Sequence, residues 1–259
     1  MKITEEQEKI INSFLCERLT INPENKKKIE TFENDRGENI VRYLKERAWE
    51  EDLIGKTVYY LIKSEDGDVL LFFSLKCGAL FNAQIDNKFL QELINLFKSL
   101  DDKNKSKYNK TKKLIQNIIL DAKREVNKKI ARVLETYPGI ELMHFCINNN
   151  AKEIWKSYGI NRPMGEVIFW YFIVPLIEKI QNQIGCEYIF LFAADHSEDA
   201  TLINYYNISL NFKQTNEVAT NKPSYDFCCS FMCQKIDEMK QKKNEYFDNF
   251  NLDENDIIA

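Results

Sequence analysis

Residues 139–212 decide the fold; they read GIELMHFCINNNAKEIWKSYGINRPMGEVIFWYFIVPLIEKIQNQIGCEYIFLFAADHSEDATLINYYNISLNF. An apolar run at residues 140–147 leads through a polar loop to a helix that opens at residues 163–165. A second apolar run, at residues 188–193, leads to a second helix. A strand, a helix, a strand and another helix in this order form a βαβ unit, which implies parallel strands and a right-handed crossover.

One end of this unit is where we expect the function. In open α/β sheets, ligands bind beyond the carboxyl ends of the strands, where helix N-termini can meet anions. The helix that opens at residues 163–165 begins after the first strand and its loop, so it starts on that side of the sheet. We therefore place the candidate site between this helix start and the ends of the two strands.

The composition is that of an ordinary globular protein. Its 259 residues are 44% hydrophobic and 29% charged, which allows one elaborated domain or two small ones. The net charge of −4 argues against wholesale nucleic-acid binding, although local patches remain open. The seven cysteines are an odd number without C-x-x-C spacing, so neither a zinc or other metal site nor a disulfide framework is indicated.

Nothing in the sequence points to a membrane or to secretion. The first nine residues are polar and acidic, so we expect no signal peptide. The apolar run at residues 167–177 is too short to span a bilayer and lacks the basic face of an interfacial helix, so we expect it in the core. Pro175 within this run should kink the helix by removing one backbone hydrogen bond. The expected location is the cytoplasm.

The chain before this stretch predicts two helices and a hairpin. Residues 4–7 have the spacing of a capping box ahead of an amphipathic helix, and a second helix is expected at about residues 38–51. Apolar runs at residues 57–63 and 69–75 flank an Asp-Gly pair, which is a strong hairpin signal.

About 60 residues then separate the hairpin from residue 139, which is far longer than an ordinary loop. Apolar residues recur there at helical spacing, which predicts a two-helix insertion at about residues 86–136. Within residues 101–130, ten Lys and Arg stand against four acids. The basic run at 103–129 is either a solvated helix face or a site for RNA or another polyanion.

The C-terminal part predicts one more strand and one more helix. Residues 224–232 form a β-type run, and residues 235–250 read as a charged helix. Residues 251–259 form an acidic tail.

Three segments resemble the GNAT (Gcn5-related N-acetyltransferase) superfamily. ELMHFCINNN is similar to the family's fourth strand, residues 161–166 to its pyrophosphate-binding turn, and YYNISLNF to its closing FYEKLGF-type element. The resemblance implies an α/β (α+β) fold with a mixed, mostly antiparallel sheet of six or seven strands and helices on both faces. It implies that the sheet is splayed between the fourth and fifth strands. The domain would span residues 1–233, and residues 234–259 would be a separate charged helix and tail.

The resemblance implies a site for acetyl-CoA as cosubstrate. The fourth strand would orient the pantetheine arm, and the turn would hold the phosphates with backbone N–H groups at a helix start. The cofactor-binding candidates are Phe145, Cys146, Ile147, Asn161, Arg162, Met164, Gly165, Glu166 and Asp199. Pro163 stands where the family has a glycine and removes one possible donor. The alternative is a plain helix cap in a fold that has lost the cofactor.

The catalytic candidates are Tyr206, Tyr205 and His144. Tyr206 is the first choice and Tyr205 the second for the acid that protonates the leaving thiolate, against the alternative of a core tyrosine. His144 would act as a base for the attacking amine, or is a hydrogen-bonded core residue. Cys146 as an acyl-carrying nucleophile has no partner in the sequence, and His196 is expected to be structural or at the pocket rim.

The implied function is an acyl-CoA-dependent N-acyltransferase that moves the acyl group directly to an amine. The chain is also similar to the GNAT-type toxins of toxin–antitoxin pairs, which modify aminoacylated tRNA, and the basic run at 103–129 would suit tRNA or a protein partner. The rival function is a catalytically inactive GNAT-like module that binds protein or RNA. The degenerate glycine turn motivates that rival.

Overall fold

A computed structural model describes residues 3–82, 136–195, 197–215, 217–220 and 229–248. The chain forms two compact units: Met1–Ala79, Tyr137–Thr215 and Asn221–Ala259 make the first, and Leu80–Thr136 and Asn216–Thr220 make the second. The predicted insertion lies outside the described residues apart from Thr136. The basic run at 103–129, His196 and the tail at 251–259 also lie outside them.

The described part of the chain contains nine α-helices and seven β-strands. The helices are α1 Glu5–Ser13, α2 Glu24–Lys28, α3 Glu38–Glu46, α4 Ala48–Leu53, α5 Lys152–Ser157, α6 Met164–Ile168, α7 Val174–Ile184, α8 Thr201–Ile208 and α9 Ile236–Asp248. The strands are β1 Leu15–Arg18, β2 Val58–Lys63, β3 Val69–Asn82, β4 Thr136–Ile147, β5 Tyr188–Ala194, β6 Val218–Ala219 and β7 Cys229–Lys235.

The strands form one sheet in the order β1-β2-β3-β4-β5-β7, and β6 pairs with the end of β3. The pairs β1–β2, β2–β3, β3–β6 and β5–β7 are antiparallel, whereas β4 and β5 run parallel. This arrangement confirms the mixed, mostly antiparallel sheet expected from the sequence.

The sheet opens between its two parallel strands. Their register covers only Gly139, Ile140 and Glu141 on β4, although β4 continues to Ile147. β5 instead stays paired with β7 along its whole length. The end of β4 therefore diverges from β5, which confirms the splay between the fourth and fifth strands.

The N-terminal elements follow local signals, with two differences. Thr4 and Gln7 form the predicted capping box, and Gly67 lies in the turn of the predicted hairpin. The helix expected over residues 38–51 is instead broken into α3 and α4 at Arg47, whose φ of −127° is not helical. Strand β1 was not predicted.

The apolar helix after the loop is a core element, as expected. α6, a π-helical turn at Phe169–Ile173 and α7 follow one another directly, so residues 164–184 form one irregular helix. The π turn directly precedes α7, whose first turn contains Pro175. The irregularity expected from this proline is therefore a π turn in the helix. Both α6 and the π turn are largely buried. No helix in the described ranges is long and apolar enough to cross a membrane.

Candidate functional site

The end of β4, the start of α6 and helix α8 meet at Gly165. A Cβ atom placed on Gly165 would lie 2.6 Å from the Tyr205 hydroxyl oxygen and 3.3 Å from the ring of Phe145. Only glycine fits without a shift of its neighbours, because real Cβ atoms do not approach other atoms this closely. Three residues singled out from the sequence are therefore in contact.

The Tyr205 hydroxyl is buried and has no hydrogen-bond partner among the residues that the structure describes. Burial raises its pKa far above the usual range for tyrosine, and the neighbouring Tyr206, Glu166 and Tyr246 add to the shift. A buried hydroxyl without a partner is costly, so such a group commonly marks a site that a ligand or an ion completes.

Tyr206, the next residue on α8, is also buried, and its ring centre lies 5.8 Å from that of Tyr205. The residue is 9% exposed, and its hydroxyl is close enough to Cys146 for the two groups to interact electrostatically. Burial also raises the pKa of Tyr206, so its hydroxyl keeps its proton at neutral pH. Its ring packs against Phe212 in the core.

Cys146 is a poor nucleophile in this setting. Burial raises the pKa of its thiol to about 12, and the thiolate is the reactive form. Cys16, Cys77, Cys146 and Cys186 are free thiols, and no metal-binding group of His, Cys, Asp or Glu occurs among the residues that the structure describes.

Two charged residues flank the helix start. Glu166 is 5% exposed, and the guanidinium of Arg162 lies 3.6 Å from its carboxylate. The carbonyl of Arg162 accepts a 2.9 Å hydrogen bond from the Trp155 indole, which fixes the loop backbone. Asn161 is exposed, whereas Met164 is buried in the core.

A residue from the C-terminal helix joins this group, which sequence reasoning missed. The hydroxyl of Tyr246 on α9 hydrogen-bonds to the carboxylate of Glu166. Burial and this negative partner raise the pKa of Tyr246 well above that of a free tyrosine. Eighty residues separate the two in sequence, and no spacing pattern links positions so far apart.

Helix α8, which carries both tyrosines, is capped by Asp195. One carboxylate oxygen accepts hydrogen bonds from the backbone N–H groups of Leu202 and Ile203 at 2.7 and 3.0 Å, and the other binds Ser197. The bonds from Ser197 and from these amides lower the pKa of Asp195 to about 2. Asp195 therefore caps α8 through amides that lie seven and eight residues later in the chain.

Asp199 lies at the surface beyond this cap. Its side chain is exposed, and its carbonyl accepts a 3.0 Å hydrogen bond from the side chain of Asn204. The described contacts of Asp199 are thus local to the start of α8. Its assignment to the cofactor stays a prediction.

His144 is buried in an aromatic cluster on β4. Its Nδ1 lies 2.7 Å from the Ser74 hydroxyl, and its ring packs against the rings of Tyr43 and Tyr59. Burial lowers its pKa to about 4, partly offset by nearby Glu51, so the imidazole is neutral at pH 7. This is the setting of a hydrogen-bonded core histidine, and its role as a base stays a prediction.

Comparison with known proteins relies on structure alone. No family model matches the sequence, and no curated protein matches it. Three solved structures of toxins resemble the fold. AtaTR bound with AcCoA gives a TM-score of 0.54 at 11% identity over 89% of this chain and 98% of that chain. A mutant of the AtaT toxin gives 0.51 at 11% identity over 89% and 94%, and a mutant of KacT gives 0.51 at 13% identity over 88% and 98%.

These toxins are GNAT-fold acetyltransferases. At identities this low, the likeness concerns the fold and not the chemistry. The likeness agrees with the open sheet, with the parallel pairing of β4 and β5, and with the helix that starts beside the opening. The chain therefore has the fold of the GNAT acetyltransferases.

Proposed function

We propose that the protein is an acyl-CoA-dependent N-acetyltransferase, which moves an acetyl group from acetyl-CoA directly to an amine. The observation that carries this proposal is the meeting of three groups at Gly165. A diverging strand end, a helix start without a side-chain cap and a buried tyrosine hydroxyl that has no partner in the described chain lie side by side there. Such an arrangement suits a ligand that has an amide-rich arm and a phosphate group.

The end of β4 offers backbone groups to the arm of such a ligand. The amide of Asn148 donates to a carbonyl of β3, whereas the carbonyl of Ile147 accepts from the side chain of Asn34 at 2.8 Å. Since backbone groups point alternately to the two sides of a strand, Phe145 shares the direction of Ile147. By the same alternation the backbone groups of Cys146 point towards β3. We therefore assign Phe145 and the N–H of Ile147 to the pantetheine arm.

The start of α6 has features for and against a pyrophosphate. Gly165 lets the Tyr205 hydroxyl approach the helix start closely, this hydroxyl has a proton to donate, and Arg162 is half exposed on the preceding loop. Pro163 contributes no N–H, and the carboxylate of Glu166 repels an anion. The Tyr205 hydroxyl and the Arg162 guanidinium can both donate to a phosphate, so these residues fit the cofactor.

In the proposed reaction, bound acetyl-CoA supplies an activated thioester carbonyl. The acceptor amine attacks this carbon, so a C–N bond forms and the C–S bond breaks. Tyr206, whose buried hydroxyl keeps its proton at neutral pH, donates that proton to the leaving sulfur. The amine loses one proton to water, which restores the tyrosine and balances the exchange. Tyr205, one residue earlier, is assigned to binding.

The acceptor is the open part of this proposal. The resemblance to the toxin branch suggests aminoacylated tRNA, and the charge of residues 103–129 favours a polyanion. Those residues lie outside the described part of the chain, so their sequence alone supports a tRNA or protein partner. The cytoplasm, where we expect the protein from its sequence, would supply such an acceptor.

A transfer assay tests the proposed activity. The protein is incubated with acetyl-CoA and one of three acceptor classes: small primary amines, a peptide with a free N-terminus, or aminoacylated tRNA. Free thiol release is measured together with the mass of the acceptor. We expect stoichiometric thiol release and acetylation with one class. If well-folded protein gives neither thiol release nor acetylation with any of the three acceptor classes, the result would favour the inactive binding module that the missing glycines suggest.

A further inference from the structure

A buried carboxylate sits at the start of the helix assigned to the pyrophosphate. Glu166 belongs to the first turn of α6, and its side chain is almost completely excluded from solvent. The pyrophosphate of acetyl-CoA is negatively charged, and repulsion between like charges is strong where little water screens them. A site that binds the cofactor therefore needs a group that compensates this carboxylate.

Two groups face the Glu166 carboxylate. The Arg162 guanidinium lies 3.6 Å away, which is longer than a hydrogen bond, and its side chain is half exposed. The Tyr246 hydroxyl makes a hydrogen bond to the same carboxylate. Arginine binds carboxylate and phosphate with similar geometry, so the two anions compete for Arg162.

The C-terminal helix holds Tyr246 in place. Its ring stacks on Trp170 with the ring centres 5.5 Å apart and the planes 25° from parallel. On the same helix Lys243 pairs with Glu178 of α7 at 3.2 Å. Because both anchors lie on the helix that begins with α6, the Tyr246 hydroxyl is fixed relative to Glu166.

We propose that Tyr246 is a positioning residue for the pyrophosphate of acetyl-CoA. Its hydroxyl satisfies the Glu166 carboxylate and thereby leaves Arg162 available to the phosphates. Without this hydroxyl the carboxylate draws on Arg162 alone, and the cofactor loses its cation. The inference rests on the proposed function, and it gives the C-terminal helix a part in cofactor binding.

A double-mutant cycle tests this role through acetyl-CoA affinity measured by calorimetry. We expect Tyr246→Phe to raise the Kd about threefold, because the ring stays stacked while the carboxylate loses a donor and competes for Arg162. Glu166→Gln removes the competing charge and should lower the Kd about threefold. In the Glu166→Gln background, Tyr246→Phe should then have no further effect, because no carboxylate remains to be held.

The matched control is Tyr171→Phe. Tyr171 lies on the same irregular helix, and its hydroxyl interacts with Glu8 at 3.4 Å and with Asn12, away from Glu166. We expect this variant to bind acetyl-CoA like the wild type. If the wild type binds acetyl-CoA and Tyr246→Phe leaves the Kd unchanged, the inference is overturned but the proposed function is not. The same holds if Tyr246→Phe weakens binding equally in the wild-type and Glu166→Gln backgrounds. A wild type that does not bind acetyl-CoA would overturn the inference and the proposed function together.

Discussion

The Tyr206→Phe variant is expected to transfer acetyl groups 10²- to 10⁴-fold more slowly than the wild type, the usual range for loss of a general acid. The ring remains packed beside Phe212, so the fold and the affinity for acetyl-CoA should not change. The rate is measured as thiol release with whichever acceptor the transfer assay identifies, under saturating acetyl-CoA.

Tyr205→Phe is the matched control for this experiment. The Tyr205 hydroxyl is buried without a partner, so its removal should stabilise the free protein by about 1 kcal/mol. The same change should weaken acetyl-CoA binding, because a donor beside Gly165 is lost. If Tyr205→Phe abolishes transfer while Tyr206→Phe leaves the rate intact, the assignment of the two tyrosines is wrong.

The second large effect concerns the pH dependence of stability. The pKa of His144 is about 4 in the folded protein, against an ordinary value near 6.5 in the unfolded chain. As the pH falls from 6.5 to 4, the unfolded chain binds a proton that the folded protein does not, so the folded state loses stability. The loss expected from this residue is roughly 3 kcal/mol between pH 7 and pH 4.

His144→Asn isolates this contribution, because an amide can still bond to Ser74 but does not titrate. The free energy of unfolding of both proteins is measured by urea titration at several pH values from 7 to 4. The charged neighbour Glu51 and the rings of Tyr43 and Tyr59 remain in the variant. The difference between the proteins should shrink as the pH falls. A constant difference would contradict a neutral, buried His144.

Local sequence signals were sufficient for most of the fold. The capping box at Thr4, the turn at Gly67 and the buried helix at residues 164–184 each depend on a few neighbouring residues, so the sequence predicted them. The order of elements then predicted the parallel pair, and the resemblance to the GNAT superfamily predicted the opening beside it. Strand β1 was missed because its four residues, LCER, show no alternation, and its pairing with β2 forms it.

The site depends on long-range contacts, which the sequence predicted less well than the local elements. Gly165, Tyr205 and Phe145 were singled out separately, but only the folded chain brings them together. Tyr246 reaches Glu166 from another helix, and Asp195 caps α8 through amides seven and eight residues away. Such contacts follow from packing between elements, for which one sequence has no periodic signal.

Calorimetric titration of the protein with acetyl-CoA tests the central claim most directly. The account predicts a micromolar Kd that Arg162→Ala weakens severalfold, because Arg162 is the half-exposed cation at the helix start. Arg42→Ala, which removes an exposed arginine on α3 bonded to Asn39, should leave the Kd unchanged. Failure of the well-folded wild type to bind acetyl-CoA, or an equal loss in both variants, would contradict a cofactor site at Gly165.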